Sequence, residues 1–148
     1  MEFEGRVLGL DVGDVRIGVA VSDPMGIIAQ PLTVIARTAP EKDLAAIAAI
    51  ATERETRTIV VGLPLNQHGQ PGPQAEKTLL FVEALRHAVA GEIVTVDERF
   101  TTAFAQRALV QADVSRKGRK KVIDKLAAQQ ILQTYLDRRA RLRKEAQE

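Results

Sequence analysis

The sequence predicts an α/β fold built on a five-stranded mixed sheet with helices over its faces. Three observations carry that expectation. The first 35 residues form short apolar or alternating runs separated by tight turns, the pattern of antiparallel strands. From Thr38 onward, helical spacing alternates with short apolar runs. Thr58 to Leu63 is apolar nearly throughout, as expected of a strand covered on both faces.

Each element follows from its residues. Arg6 to Asp11 carries Val7, Leu8 and Leu10 and stops at Asp11-Val12-Gly13-Asp14, a turn cluster. Ile17, Val19 and Val21 alternate through a second strand to Ser22, so the pair reads as a hairpin with Gly13 at its tip. After the turn Ser22 to Gly26, Ile27 to Ile35 reads as a third strand, and Pro31 assigns it to an edge. Thr38-Ala39-Pro40-Glu41 has the form of a capping box opening a helix over roughly 40–54, with Leu44, Ile47, Ala48 and Ala51 facing inward. The strand 58–63 and the loop 66–73 precede a helix over 74–90, built on Leu79, Val82 and Leu85. Glu92 to Val96 is the fifth strand, ending in Asp97-Glu98-Arg99. Thr101 or Thr102 caps a helix to about Ala112, and a basic loop from Ser115 to Lys120 leads to a long helix starting near Val122.

The order is βββαβαβαα. Tight turns make the first three strands antiparallel neighbours, and the helical crossovers make the later strands parallel. The ribonuclease H-like architecture is such a sheet. Residues 1–140 are expected to form that domain, with 141–148 as a basic helix end or tail.

Composition narrows the chemistry. The 148 residues are 45% hydrophobic and include no cysteine, which excludes thiol nucleophiles, disulfides and cysteine zinc sites. His68 and His87 are too few for a histidine-built metal centre. No apolar run reaches the ~18–20 residues of a membrane span, and the acidic start is no signal peptide, so a cytoplasmic protein without a membrane partner is expected. The net charge of +2 is uneven: residues 1–115 hold 10 Lys/Arg against 15 Asp/Glu, and residues 116–148 hold 11 against 4. Either a polyanion partner or a solvated terminal helix accounts for that asymmetry.

Acids stand at three places where acid is locally unexpected. Asp11 ends the first strand, the pair Asp97-Glu98 ends the fifth, and Asp124 lies beside the apolar stripe Ile123, Ala127, Ile131 and Tyr135 of the last helix. Singly, they read as a turn former, a solvated strand end and a first-turn acid complementing the helix dipole. Together they suit a cation held by oxygen ligands alone, Mg²⁺ or Mn²⁺ rather than zinc. Such ions promote phosphodiester hydrolysis. Gly13 permits a positive-φ turn directly after Asp11, and Gly18 lets another backbone approach the second strand. Phosphate loops of actin-like kinases also contain Asp-x-Gly, but those proteins need two such domains and a longer chain.

Four segments, taken in order, resemble one family. Asp11-Val-Gly-Asp-Val-Arg-Ile-Gly18, Val61-Gly-Leu-Pro-Leu-Asn66, Asp97-Glu-Arg-Phe-Thr-Thr102 and Lys121-Val-Ile-Asp-Lys-Leu-Ala-Ala128 are similar to the YqgF/RuvX family. Its members are named as pre-16S rRNA nucleases and, earlier, as Holliday junction resolvases. The similarity runs from about Arg6 to Asp137. His68 stands where the family often has an acid, and Phe100-Thr101 stands where it often has Leu-Ser.

The resemblance implies a ribonuclease H-like nuclease in which Asp11, Glu98 and Asp124 are catalytic and hold Mg²⁺ or Mn²⁺. If the fifth strand lies two strands from the first, a gap of ~9.5 Å separates their origins, within reach of Glu but a strain for Asp. Arg116, Lys117, Arg119, Lys120 and Lys121 precede Asp124 and would draw a phosphate backbone toward it. Arg16 and Arg99 would either contact phosphate or neutralise neighbouring acids. Scarce aromatics disfavour single-strand stacking.

The expected activity is maturation of small-subunit ribosomal RNA, with ribosomal precursor particles as possible partners. The alternatives are a junction resolvase on structured DNA and a non-catalytic RNA- or ribosome-binding module. A monomer or a homodimer is compatible with the RNase, and the resolvase needs a symmetric dimer.

Overall fold

The computed structural model describes residues 5–100 and 117–147. Strands β1 (Arg6–Val12), β2 (Arg16–Ser22) and β3 (Ala29–Ala36) are followed by α1 (Pro40–Glu53), β4 (Thr56–Leu63), α2 (Pro73–Ala88) and β5 (Glu92–Asp97). A 3-10 turn, Glu98–Phe100, closes β5, and a 31-residue helix, α3, spans Lys117–Gln147. The helix expected over 101–112 lies outside the described residues.

The sheet order is β3-β2-β1-β4-β5, with β1–β2 and β2–β3 antiparallel and β1–β4 and β4–β5 parallel. This is the expected mixed sheet, with β3 at one edge. Pro31 sits beside an irregularity: Val19 pairs with Thr33 and Ala20 with Pro31, so Leu32 is skipped.

Alternation of side chains along the strands divides the core into two layers. Leu8, Leu10, Ile17, Val19, Ile59 and Val61 face α1 and α2, meeting Ile47, Phe81, Val82 and Leu85. Val7, Ala20, Val60 and Val96 face α3, meeting Ala127, Ala128, Ile131, Leu132 and Leu136. The α3 face of the sheet is made of small residues, so that helix lies close. A Cβ on Gly9 would stand 2.6 Å from Leu132 Cβ, and one on Gly62 2.5 Å from Ile131 Cδ1.

Several expectations change. β3 begins at Ala29 rather than Ile27, because the Asp23 carboxylate accepts the Ile27 and Ile28 amides at 2.6 and 2.9 Å and holds them in the turn. The α1 capping box does not form: Ala39 is the N-cap, and Asp43, not Glu41, accepts the Thr38 amide at 3.1 Å. On α2 the buried stripe is Ala75, Thr78, Phe81, Val82 and Leu85, and Leu79 is exposed. The last helix starts at Lys117, five residues before Val122; Lys and Arg are good helix formers, and Gly118 alone costs only about 1 kcal/mol. Lys117 to Lys120 is therefore helix rather than loop.

Candidate active site

Two strand ends and one helix converge on a single cleft. Asp11 lies one residue before the end of β1, at a position of even parity with Val7, so its side chain faces α3 rather than the α1–α2 core. Its antiparallel partner is Gly18. A Cβ on Gly18 would land on the Asp124 carbonyl, so the α3 backbone crosses β2 there because glycine leaves room. That crossing brings Asp124 beside Asp11. Glu98 arrives from the other side, immediately after β5, which is separated from β1 by β4. The strand spacing puts β5 about 9.5 Å from β1, which the longer Glu side chain can span.

Asp11, Glu98 and Asp124 all line a cleft of about 220 Å³, with Asp14, Gly62 and Gln74. Asp11 is 8% and Glu98 3% exposed, uncommon burial for carboxylates. Asp124 accepts a hydrogen bond from Arg16 Nε at 2.8 Å. Among the described residues, no three His, Asp or Glu side chains form a ready-made cage for an ion. The donor set itself consists of carboxylate oxygens and fits a hard divalent cation better than a soft one.

The other expected site residues separate into groups. Arg16, at the start of β2, is engaged by Asp124. Arg99 clamps Asp97, with Nη2 at 2.6 Å and Nε at 3.0 Å from Oδ2 and the Arg99 amide 3.0 Å from Oδ1. The Arg99 hydrogen bond outweighs partial burial and holds the Asp97 carboxyl below its ordinary value. Arg99 also points Nη1 at the Gln67 carbonyl, 3.4 Å away, beside the loop from β4 to α2. Lys117, Arg119, Lys120 and Lys121 occupy the start of α3, and Arg116 lies outside the described residues.

Gly13 corrects an expectation. Its φ is not among the positive ones; its requirement is close approach, since a Cβ would stand 2.8 Å from the Arg16 carbonyl oxygen. Two partners of this turn were missed in the sequence. Arg37 donates from Nη1 to the Gly13 carbonyl at 2.9 Å and from Nε to Asp43 at 3.1 Å, and its guanidinium lies 5.2 Å from the Phe81 ring centre. Asp43 is 3% exposed. A lone Arg between a strand and a helix carried no distinguishing spacing.

The RuvX family model, described as Holliday junction resolvase, matches residues 5–138. The chain belongs to the RuvX family. A 54% identical RuvX relative from Thermoanaerobacter pseudethanolicus, aligned over 89% of this chain and 96% of its own, is named "Putative pre-16S rRNA nuclease". A relative from Clostridioides difficile with the same name is 50% identical over 91% of this chain and 96% of its own. The fold is shared with RuvC-like resolvases, and the mixed sheet agrees with the architecture expected from the order of elements. The structure of T. thermophilus RuvC with a Holliday junction substrate aligns with a TM-score of 0.51 at 14% identity, covering 92% of this chain and 96% of that one. The fowlpox virus resolvase bound to junction DNA gives 0.53 at 9% identity, covering 89% and 97%.

Proposed function

We propose that this RuvX protein is a divalent-cation-dependent nuclease that hydrolyses RNA phosphodiester bonds during maturation of small-subunit ribosomal RNA. The observation that carries the reading is the convergence of Asp11, Glu98 and Asp124 on one cleft from three separate elements. The names of the curated relatives favour RNA, and ribosomal precursor particles in the cytoplasm are where such a substrate would be met. Among the described residues no helix is long and apolar enough to cross a membrane.

Asp11, Glu98 and Asp124 would hold Mg²⁺ or Mn²⁺. When bound, such an ion polarises the phosphoryl oxygen and acidifies water. The protein's own part is placement. Burial keeps Asp11 and Glu98 fixed, and the Gly18 crossing sets Asp124 against them. Arg16, held against Asp124 at 2.8 Å, would either neutralise that carboxylate or contact a phosphate. The cationic start of α3, from Lys117 to Lys121, would draw the backbone toward the cleft, with Arg116 adjoining it in sequence.

A second reading is junction resolution, favoured by the family's description and by the resolvase fold. Cleavage of structured RNA, single-stranded RNA and a four-way DNA junction by wild type and Asp11→Asn, each with Mg²⁺ and Mn²⁺, separates the readings. Wild type should cut structured RNA, and Asp11→Asn should bind it without cutting. Preferred paired cuts in the junction by a dimer would transfer the assignment to resolution. Salt-sensitive binding with no metal-dependent product from wild type would leave only a binding module.

A further inference from the structure

The C-terminal half of α3 changes character where the sheet beneath it ends. Ala128, Leu132 and Leu136 are buried at a spacing of four, and the same stripe continues through Arg139 and Arg143. Arginine replaces leucine there because α3 has run past the strands and faces the turn between β2 and β3. A groove of about 340 Å³ lies between them. Its cations are Arg139, Arg143 and Lys144, its acid is Asp137, and Met25 and Ile27 form its apolar wall.

Two features make this groove more than a solvated helix end. Arg139 is held in place: Nη2 donates to the Gly26 carbonyl at 3.2 Å and the guanidinium lies 5.5 Å from the Tyr135 ring centre. The acid is occupied within its own helix, since Asp137 accepts Gln133 Nε2 at 2.9 Å. Around the groove, residues 138–144 contain Arg138, Arg139, Arg141, Arg143 and Lys144 with no acid among them. An oriented guanidinium in a cationic groove favours a phosphate diester.

We propose that this groove is a second phosphate contact for the nucleic acid whose scissile bond lies at the Asp11 cleft. The inference rests on the nuclease reading and adds a length requirement to it. At 1.5 Å per residue, Arg139 and Arg143 lie about 22 and 28 Å along α3 from Asp124. At the ~2.8 Å rise per base pair of an A-form RNA stem that is roughly eight to ten base steps. The substrate therefore extends at least that far from the cut, and the scarcity of aromatic side chains favours a helical stem over a stacked single strand.

The test measures binding of labelled RNA hairpins with stems of about 5, 10 and 15 base pairs, in chelator, across a salt series. The proteins are wild type, Arg143→Gln, Lys144→Gln and Arg139→Gln/Arg143→Gln. Wild type should gain about tenfold or more in affinity between the shortest and the intermediate stem. The double variant should lose that gain, and its log K against log salt slope should fall by about 1.4–1.8, at ~0.7–0.9 per contact. The single exposed variants, which leave the Arg139 contact to Gly26 intact, should each lose part of both. A wild-type length gain retained in every variant with an unchanged slope overturns the proposal. Absence of any RNA binding or cleavage by wild type is a different outcome, the failure of the nuclease reading itself.

Discussion

Arg16 Nε stands 2.8 Å from Asp124 Oδ2, joining the first residue of β2 to α3 across 108 positions of sequence. Their side chains are 27% and 19% exposed, so the pair is neither fully solvated nor sealed. Arg16 is in effect a cation already bound to one of the three proposed ligands. Arg16→Gln should cost about 1–2 kcal/mol of stability, because Asp124 loses a charged hydrogen-bond donor in a partly buried place. The same change should tighten Mn²⁺ binding several-fold when no nucleic acid is present. Calorimetric titration of Mn²⁺ into the two proteins checks this, and weaker binding in Arg16→Gln would show that Arg16 assists the site instead of competing with it.

Gly18 and Gly62 both lie under α3, but alanine should affect them unequally. At Gly18 the added methyl meets the main chain of Asp124, which can move only if the helix moves. At Gly62 it meets the end of the Ile131 side chain, which can change rotamer. Gly18→Ala should therefore destabilise by about 2–3 kcal/mol or more and reduce cleavage beyond the loss of folded protein, with Gly62→Ala nearer 1 kcal/mol. Thermal unfolding beside cleavage rates on folded protein distinguishes the two.

Glu98 tests reach separately from charge. Because β4 separates β5 from β1, Glu98→Asp keeps the carboxylate and withdraws it by one methylene. Its cleavage rate should fall about 100-fold or more, close to that of Glu98→Gln. A rate near wild type in Glu98→Asp would show that the carboxylate need not span the two strands.

Acid should loosen the protein at two identified places. The Asp23 carboxyl is raised by its partial burial, and the Ile28 and Ile27 amides outweigh that and lower it below 3.8. Asp97 is lowered by Arg99. A carboxyl lowered on folding contributes stability that is present above its unfolded value of 3.8 and is lost as pH falls through the folded value. Stability should therefore drop on the acid side of 3.8, and Asp23→Asn or Asp97→Asn should flatten that limb. Urea unfolding across the acid range provides the measurement.

Much of the molecule was legible in the chain because local rules and tertiary packing agree. The apolar runs of β1 and β4, the alternation in β2 and Pro31 at an edge each predicted the position later found. Asp11 and Glu98 stood out as acids at the ends of apolar strands and Asp124 as an acid beside the apolar stripe of the last helix, and the three line one cleft. Arg37 and Asp43 were not, because their meaning depends on the Gly13 carbonyl and the Phe81 ring, which only folding brings near. Asp43 replaced Glu41 at the Thr38 amide for the same reason: Asp43 is buried and held by Arg37, a partner that only folding brings to it.

The sequence by itself determined the sheet, its parity and the split between an acidic body and a basic end. Periodicity and composition carry those properties without any knowledge of distant contacts. Only the tertiary structure decided which groups meet. The close passage of α3 over Gly18 puts Asp124 by Asp11 and hands it to Arg16, and the length of α3 carries Arg139 and Arg143 beyond the sheet. The first follows from a backbone approach distance, which depends on the packing of a helix against a strand more than 100 residues away in the chain.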